Sequence, residues 1–182
     1  MKVEKTSLAD VFVISPNVFE DERGYFCETY NERTIQDTPL AGYRWVQENE
    51  SKSSQGVLRG LHFQKGEYAQ AKLVRVITGA VFDVAVDLRQ SSKTFGQWYA
   101  LELSAKNKKQ LLVPRGFAHG FLVLSETAIF SYKCDNFYAP KHDSGIIYND
   151  KEIGIQWPKL DKGYLLSDKD SQLVSFENAY KF

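Results

Sequence analysis

One short run of strand-forming residues, 57–64, carries a histidine and an arginine that are suited to chemistry. Arg59 precedes His62 by three positions, with Gly60 between them. If the run is a strand, side chains alternate, so Arg59 lies on the opposite face from Gly60 and His62. Because a glycine leaves space beside a strand, the segment predicts an imidazole on a face that a ligand can approach.

A second histidine lies in a similarly compact setting. His119 follows Pro114 and Gly116 and directly precedes Gly120. Proline and glycine shape the turn before it, and the glycine after it leaves room for a bound molecule. Each of the two histidines is either a core side chain bonded to the backbone or a group facing a cavity, and the sequence leaves both interpretations open.

The histidine pattern is poor for a metal. Leu61 and Phe63 flank His62, so the His-x-His pair of metal-binding cupins is missing, and the third histidine, His142, lies in a polar segment. Two histidines without a third ligand at suitable spacing make a weak transition-metal site. We therefore expect no metal or other cofactor, and keep a metal-dependent cupin oxygenase as an alternative.

Without a metal, histidine chemistry means proton transfer, which needs an orienting acid, a second proton donor and a group that stabilises negative charge. Asp170 can orient an imidazole, or it can close a capping box that Ser167 opens. Tyr132 can donate a proton or simply pack in the core. Lys72 can face an oxyanion or be a solvated strand-edge residue.

Several polar residues can bind an anionic or polar ligand. Arg23 and Glu28 bracket a turn that leads into a strand, and Arg59 adjoins a glycine. A guanidinium reads two phosphate oxygens at once, although exposed arginines also pair with surface carboxylates. Gln47 and Asn49 alternate along one strand face and either bind a ligand or face solvent.

Composition indicates one domain spanning residues 1–182. The chain has 182 residues, 43% of them apolar, and its 23 basic and 23 acidic residues give a formal charge of zero. With no cationic tract, nucleic acid and membranes are unexpected partners. The longest apolar run near the start, 11–14, is far too short for a signal peptide. We expect a cytoplasmic protein in which Cys27 and Cys134 are reduced packing residues.

The apolar pattern predicts a mainly β fold. Residues 81–88 alternate most clearly, with Phe82 and Val84 on one face and Asp83 on the other. Further strands are predicted at 10–14, 25–30, 43–49, 56–64, 71–77, 80–88, 97–103, 110–113, 120–124, 128–134 and 145–148, and short helices at 31–36 and near 169–174. So many strands in one domain favour a closed barrel or a jelly roll.

Taken together, the segments resemble the nucleotide-sugar 3,5-epimerases, specifically the dTDP-4-dehydrorhamnose 3,5-epimerase family. The similarity runs nearly end to end and in the family's order. It includes residues 21–26, 47–49, 57–64, 70–75, 81–89, 94–96, 114–121 and 149–158.

The resemblance implies a cupin-like jelly-roll β-barrel with a few short helices, which forms a homodimer. It also implies metal-free epimerisation of dTDP-4-dehydro-6-deoxy-D-glucose at C3 and C5, with His62 as base, Asp170 as its paired acid, Tyr132 as proton donor and Lys72 near the C4 oxygen. The substrate-binding positions that it implies are Arg23, Phe26, Glu28, Gln47, Asn49, Arg59, Lys72, His119, Tyr138, Asp143 and Lys169.

Three positions depart from the family pattern. Asp143 stands where a glutamate is common, Arg115 where an acid is frequent, and Cys27 where an aromatic is usual. The alternatives on this scaffold are an epimerase acting on one carbon, a 3,4-ketoisomerase, and a jelly roll that binds sugar nucleotides without catalysis. All the enzymes among them begin with an enolate, so His62 and Lys72 suit each of them.

Overall fold

The computed structural model describes residues 1–182, and its regular structure consists mainly of short β-strands. A single α-helix, α1 (Asp168–Ser171), and two 3-10 turns, Gly66–Tyr68 and Pro140–His142, complete the regular structure. No helix is both long and apolar enough to span a membrane. The strands are β1 (Lys2–Lys5), β2 (Phe12–Ser15), β3 (Val18–Asp21), β4 (Gly24–Cys27), β5 (Gln47–Ser54), β6 (Leu58–Gln64), β7 (Lys72–Thr78), β8 (Ala80–Asp87), β9 (Trp98–Ser104), β10 (Gln110–Val113), β11 (Phe117–Val123), β12 (Thr127–Cys134) and β13 (Asp143–Gly145).

The strands form two antiparallel sheets and one separate hairpin. The six-stranded sheet has the order β1-β2-β10-β7-β12-β5, and the five-stranded sheet has the order β13-β6-β11-β8-β9. Strands β3 and β4 pair only with each other. This confirms the predicted mainly β jelly roll, which is a pair of packed sheets that are not closed into one continuous barrel.

Three apolar clusters hold the sheets together and cover part of both faces of each. The first lies between the sheets and includes Val81, Ala85 and Phe130. The second covers the outer face of the five-stranded sheet with the C-terminal segment, and the third covers the six-stranded sheet with residues around Ile35 and Leu40. With the outer faces covered, the open ends of the sandwich are where polar side chains can reach a ligand.

Strand β8 shows the predicted alternation, but both of its faces are buried. Its Asp83 and Asp87 are fully buried on the face that points between the sheets. Asp87 accepts hydrogen bonds from Arg89, Ser92 and Thr94, so its charge is compensated locally. The acidic face is therefore an interior polar layer.

Two local predictions differ from the structure. The segment 31–36 forms consecutive turns instead of a helix, because the Asn31 side chain bonds the Arg33 N–H and the Thr34 hydroxyl bonds the Asn31 carbonyl. Such bonds compete with helical ones. The strand predicted at 43–49 begins only at Gln47, after the stacked rings of Tyr43 and Trp45.

Alternation also fails in β6, where Arg59 and His62 lie on the same side. Across the pair of β6 and β11, His119 faces His62 and Phe121 faces Arg59, so two residues of β6, Gly60 and Leu61, lie opposite Gly120 alone. Such a bulge inserts one residue and reverses the facing of the side chains beyond it. The prediction that Arg59 lies opposite His62 is therefore wrong.

The glycines beside the two histidines bring the backbones of two strands together. A Cβ on Gly60 would lie 2.7 Å from the Cα of Gly120, and Gly60 has a φ of 116°. A Cβ on Gly120 would lie 2.5 Å from the carbonyl oxygen of Arg59. The close approach of strands β6 and β11 therefore depends on both glycines, and Gly120 also lines the first cavity of the cleft described below.

We expect Gly60→Ala to lower the free energy of unfolding by about 2 to 3 kcal/mol, because it combines a steric clash with a backbone conformation that side chains disfavour. Gly66→Ala is the matched control, since Gly66 has a φ of 60° and open space around it. The control should lose only about 1 kcal/mol. Urea denaturation measures both, and equal losses would contradict the close-approach argument.

Candidate functional site

Two adjoining cavities of about 290 and 360 Å³ open between the sheets. His62, Lys72, Tyr132 and Lys169 line both, so these side chains stand where the cavities meet. The first is further lined by Ser51, Arg59, His119, Gly120, Phe121, Phe130, Ser167 and Asp170, and the second by Gln47, Asn49, Phe63, Gln64, Gln70, Tyr138 and Asp143. Both sheets and helix α1 thus contribute to one cleft.

An imidazole backed by a carboxylate lies at the centre of the cleft. Nε2 of His62 is 2.6 Å from Oδ1 of Asp170. The ring nitrogen is not aligned as in an ideal hydrogen bond, so the two groups are in close contact without a regular hydrogen bond. A carboxylate in this place orients the ring and stabilises the imidazolium that forms when the ring takes up a proton.

Asp170 is held in this position by Ser167, the N-cap of the helix that carries it. Ser167 accepts a hydrogen bond from the Asp170 N–H and donates one of 2.7 Å to its carboxylate. Only half of the predicted capping box forms, because the Asp170 carboxylate accepts the hydroxyl of Ser167 and not its backbone N–H. Burial alone would raise the pKa of Asp170, but the contacts with His62 and Ser167 outweigh it and lower that pKa. Asp170 is consequently an anion at neutral pH.

A lysine and a tyrosine face the same space from the six-stranded sheet. The ammonium of Lys72 lies 6.0 Å from the ring centre of Tyr132. Burial lowers the pKa of Lys72, an effect that the negative charges of Asp143 and Asp83 only partly oppose. Burial and the nearby Cys134 raise the pKa of Tyr132, so the phenol keeps its proton at neutral pH.

The three histidines have separate partners. His119 is buried, and its Nε2 lies 3.0 and 3.1 Å from the two carboxylate oxygens of Asp83. His142 lies at the surface, where its ring is 4.0 Å from that of Tyr68. Nowhere do three or more His, Cys, Asp or Glu side chains form a group that could hold a metal.

Strand β5 supplies a row of polar side chains to the cleft. Its register with β12 sets Asn49 beside Tyr132 and Ser51 beside Phe130. Ser53, at the end of the row, accepts hydrogen bonds from Nε and Nη2 of Arg59. Ser51 and Ser53 are absent from the predicted site, although the alternation from position 47 to 53 was the signal that could have found them.

Tyr138, Asp143 and Lys169 surround the mouth of the second cavity. The Tyr138 hydroxyl donates to Oδ2 of Asp143 at 3.0 Å, and the Lys169 ammonium contacts the same oxygen. The Tyr138 ring itself is 54% exposed. An exposed ring whose hydroxyl is fixed can receive another flat group on its face.

Arg23, Phe26 and Glu28 are the predicted site residues that do not line the cleft. Arg23 pairs with Asp21 within the β3–β4 hairpin, and Glu28 accepts a hydrogen bond from Asn31. Phe26 is 68% exposed. The hairpin pairs with no other strand, so within one chain these residues lie apart from His62.

The three residues that depart from the family pattern lie in different parts of the structure. Arg115 pairs with Asp135, whose other carboxylate oxygen accepts the N–H of Ala71 just before Lys72. Asp143 lies in the cleft, whereas Cys27 ends the β3–β4 hairpin. The substitution at Arg115 is thus accommodated by a surface ion pair.

Comparison with known proteins gives one consistent result. A family model described as dTDP-4-dehydrorhamnose 3,5-epimerase matches residues 5–178. The protein of that name from Shigella flexneri is 51% identical over 182 residues, which are 100% of this chain and 99% of the relative.

Solved structures agree with the sequence comparisons. The dTDP-4-dehydrorhamnose 3,5-epimerase of Elizabethkingia anophelis is 56% identical, covers 98% of this chain and 97% of its own, and superposes with a TM-score of 0.91. The dTDP-6-deoxy-D-glucose-3,5-epimerase of Legionella pneumophila, solved with dTDP-4-keto-L-rhamnose, is 43% identical with a TM-score of 0.93 over 97% of this chain and 93% of its own. This chain belongs to the dTDP-4-dehydrorhamnose 3,5-epimerase family.

Proposed function

We propose that this protein epimerises dTDP-4-dehydro-6-deoxy-D-glucose at C3 and C5 to dTDP-4-dehydro-L-rhamnose, a step of dTDP-L-rhamnose biosynthesis. The observation that carries the proposal is the imidazole of His62, held 2.6 Å from the buried Asp170 in the cleft that Lys72 and Tyr132 also line. The identity to relatives named for this reaction supports it.

The chemistry follows from the environments of these groups. His62 removes a proton from a carbon next to the C4 ketone, and the electron pair moves to the C4 oxygen to form an enolate. Lys72 stabilises that oxygen as charge develops. Tyr132, which the structure keeps protonated at neutral pH, returns a proton to the carbon from the other side, and the ketone is restored. The sequence of steps inverts each carbon without net loss of atoms or electrons.

The remaining cleft residues suit a sugar nucleotide. Arg59, His119 and Lys169 offer N–H donors to a diphosphate, and its two negative charges favour a guanidinium. Gln47, Asn49 and Asp143 offer hydrogen bonds to the polar parts of the ligand, and the ring of Tyr138 offers a face to thymine. These assignments extend the family's binding positions to the residues that line this cleft.

A homodimer would explain the three predicted substrate residues on the β3–β4 hairpin. Phe19 and Phe26 are exposed there and stack with ring centres 6.5 Å apart. Arg23 and Glu28 lie apart from the cleft of their own chain, so we propose that the hairpin delivers them to the cleft of a second copy. A two-fold axis makes such a contact reciprocal. The two free cysteines suit a cytoplasmic location.

An epimerase that inverts one carbon is the second candidate. A 3'-monoepimerase from Streptomyces bikiniensis, solved with dTDP-quinovose, is 30% identical and superposes with a TM-score of 0.88. Both reactions begin with the same enolate, so His62, Lys72 and Tyr132 suit either. The higher identity to the two-carbon enzymes favours inversion at C3 and C5.

We expect deuterium from heavy water to enter the substrate at both C3 and C5, because each inversion exchanges one carbon-bound proton for a solvent proton. Nuclear magnetic resonance of the recovered sugar nucleotide measures the label. Label at C3 alone would identify the single-carbon reaction, and label at neither carbon would refute the epimerase.

The same assay tests the base and the acid. His62→Ala and Tyr132→Phe should each slow turnover by roughly 10²- to 10⁴-fold while substrate binding persists, since proton transfer is what they lose. His142→Ala is the control, because that ring lies outside the cleft. Normal turnover in His62→Ala would defeat the base assignment.

The lowered pKa of Lys72 predicts where activity fails at high pH. The lysine must be a cation to stabilise the enolate, so turnover should fall as pH rises through a pKa below the ordinary value of about 10.4. In Lys72→Arg this alkaline decline should move to higher pH, because arginine does not lose its proton there. A pH profile of kcat/KM, which reports the groups of the free enzyme, measures both, and an unmoved decline in Lys72→Arg would contradict the assignment.

We expect Phe19→Asp to weaken the dimer by roughly 30-fold or more, because an apolar anchor is replaced by a charge. Sedimentation velocity measures the subunit equilibrium. Leu165→Asp is the matched control, since Leu165 is also exposed but lies far along the chain from the hairpin. A wild-type protein that sediments as a monomer, or a Phe19→Asp dimer of unchanged affinity, would contradict the proposed interface.

A further inference from the structure

A buried amide at the end of strand β6 makes hydrogen bonds that the reaction itself does not require. Gln64 is only 4% exposed. Its Nε2 donates to the carbonyl oxygens of Tyr68, at 2.8 Å, and Phe137, at 3.1 Å. Its Oε1 accepts the N–H of Ala139 at 2.6 Å. Both N–H donors of the amide are therefore used within the protein.

These bonds hold the residues immediately before and after Tyr138. One side chain thus fixes the backbone on both sides of that tyrosine. The Tyr138 N–H donates to Oε1 of Gln47 at 3.0 Å, and its hydroxyl donates to Asp143. Because the ring is more than half exposed, apolar packing does little to fix it. Polar anchors set its position instead.

We propose that Gln64 is a positioning residue, which holds Tyr138 so that its ring is ready to receive the nucleobase. This inference rests on the proposed function, in which Tyr138 stacks on thymine. Gln64 lines the second cavity but has no N–H left for a ligand, so it acts through Tyr138.

The position of Gln64 in strand β6 relates it to both parts of the proposed site. It lies two residues beyond His62 in the same strand, and Asp143 faces it in the paired strand β13. Strand β6, which carries the proposed base His62, therefore also fixes the loop that carries Tyr138. One rigid strand thus connects the proposed nucleobase site with the proposed site of proton transfer. A loop that is already fixed loses less conformational entropy when the ligand binds.

Gln64→Met tests the proposal, because methionine has a similar length and no N–H donors. We expect it to bind dTDP roughly 5- to 100-fold more weakly by calorimetric titration, the range expected for a lost stacking contact. KM for the sugar nucleotide should rise by a similar factor while kcat changes less. Gln55→Met is the matched control, since Gln55 also donates to a backbone carbonyl but lies outside the cleft.

A double-mutant cycle separates positioning from a general structural role. If Gln64 acts through Tyr138, adding Gln64→Met to Tyr138→Ala should weaken dTDP binding no further. Additive losses, unchanged affinity in Gln64→Met, or loss of the folded state by circular dichroism in Gln64→Met would overturn the inference and leave the proposed function standing. A wild-type protein that does not bind dTDP would overturn both.

Discussion

The buried carboxylate of Asp170 is the contact on which the architecture of the cleft depends. It receives hydrogen bonds from the Ser167 hydroxyl and the Gly60 N–H, and it lies against His62. A buried charge is tolerated only while its partners remain in place. The C-terminal helix, the bulge in β6 and the imidazole are therefore coupled, and a change in any of them alters the solvation of the same carboxylate.

Strands could be predicted from the sequence where their side chains are buried, because burial requires a run of apolar residues. Strands β8 and β10 match their predicted positions closely because their side chains are almost all buried. The hairpin strand β3 was missed because all four of its residues, Val18–Asp21, are exposed and carry no alternation of burial. The turns at 31–36 were mistaken for a helix because bonds from Asn31 to the local backbone outweigh the intrinsic preference of the segment.

The site was predictable as a set of residues but not as a geometry. Local sequence favoured a capping role for Asp170, and only the family resemblance paired it with His62. In the structure Asp170 bonds to its cap, Ser167, and also lies against His62, because the third residue of a one-turn helix can face both its cap and a neighbouring strand. The shared face of Arg59 and His62 depends on a bulge in β6, and a bulge arises from pairing with another strand, which a single segment does not reveal.

The electrostatic contrast between Lys72 and Tyr132 explains how one cleft can serve an enolate reaction. Burial favours the neutral form of each, so it lowers the pKa of the lysine and raises that of the tyrosine. A cation that is incompletely compensated in the free cleft gains most when negative charge appears beside it. An enolate oxygen supplies that charge only as the proton leaves, so the interaction favours the transition state over the bound ketone. The same burial keeps the phenol protonated, so the roles that we propose for Lys72 and Tyr132 both follow from one property of the cleft.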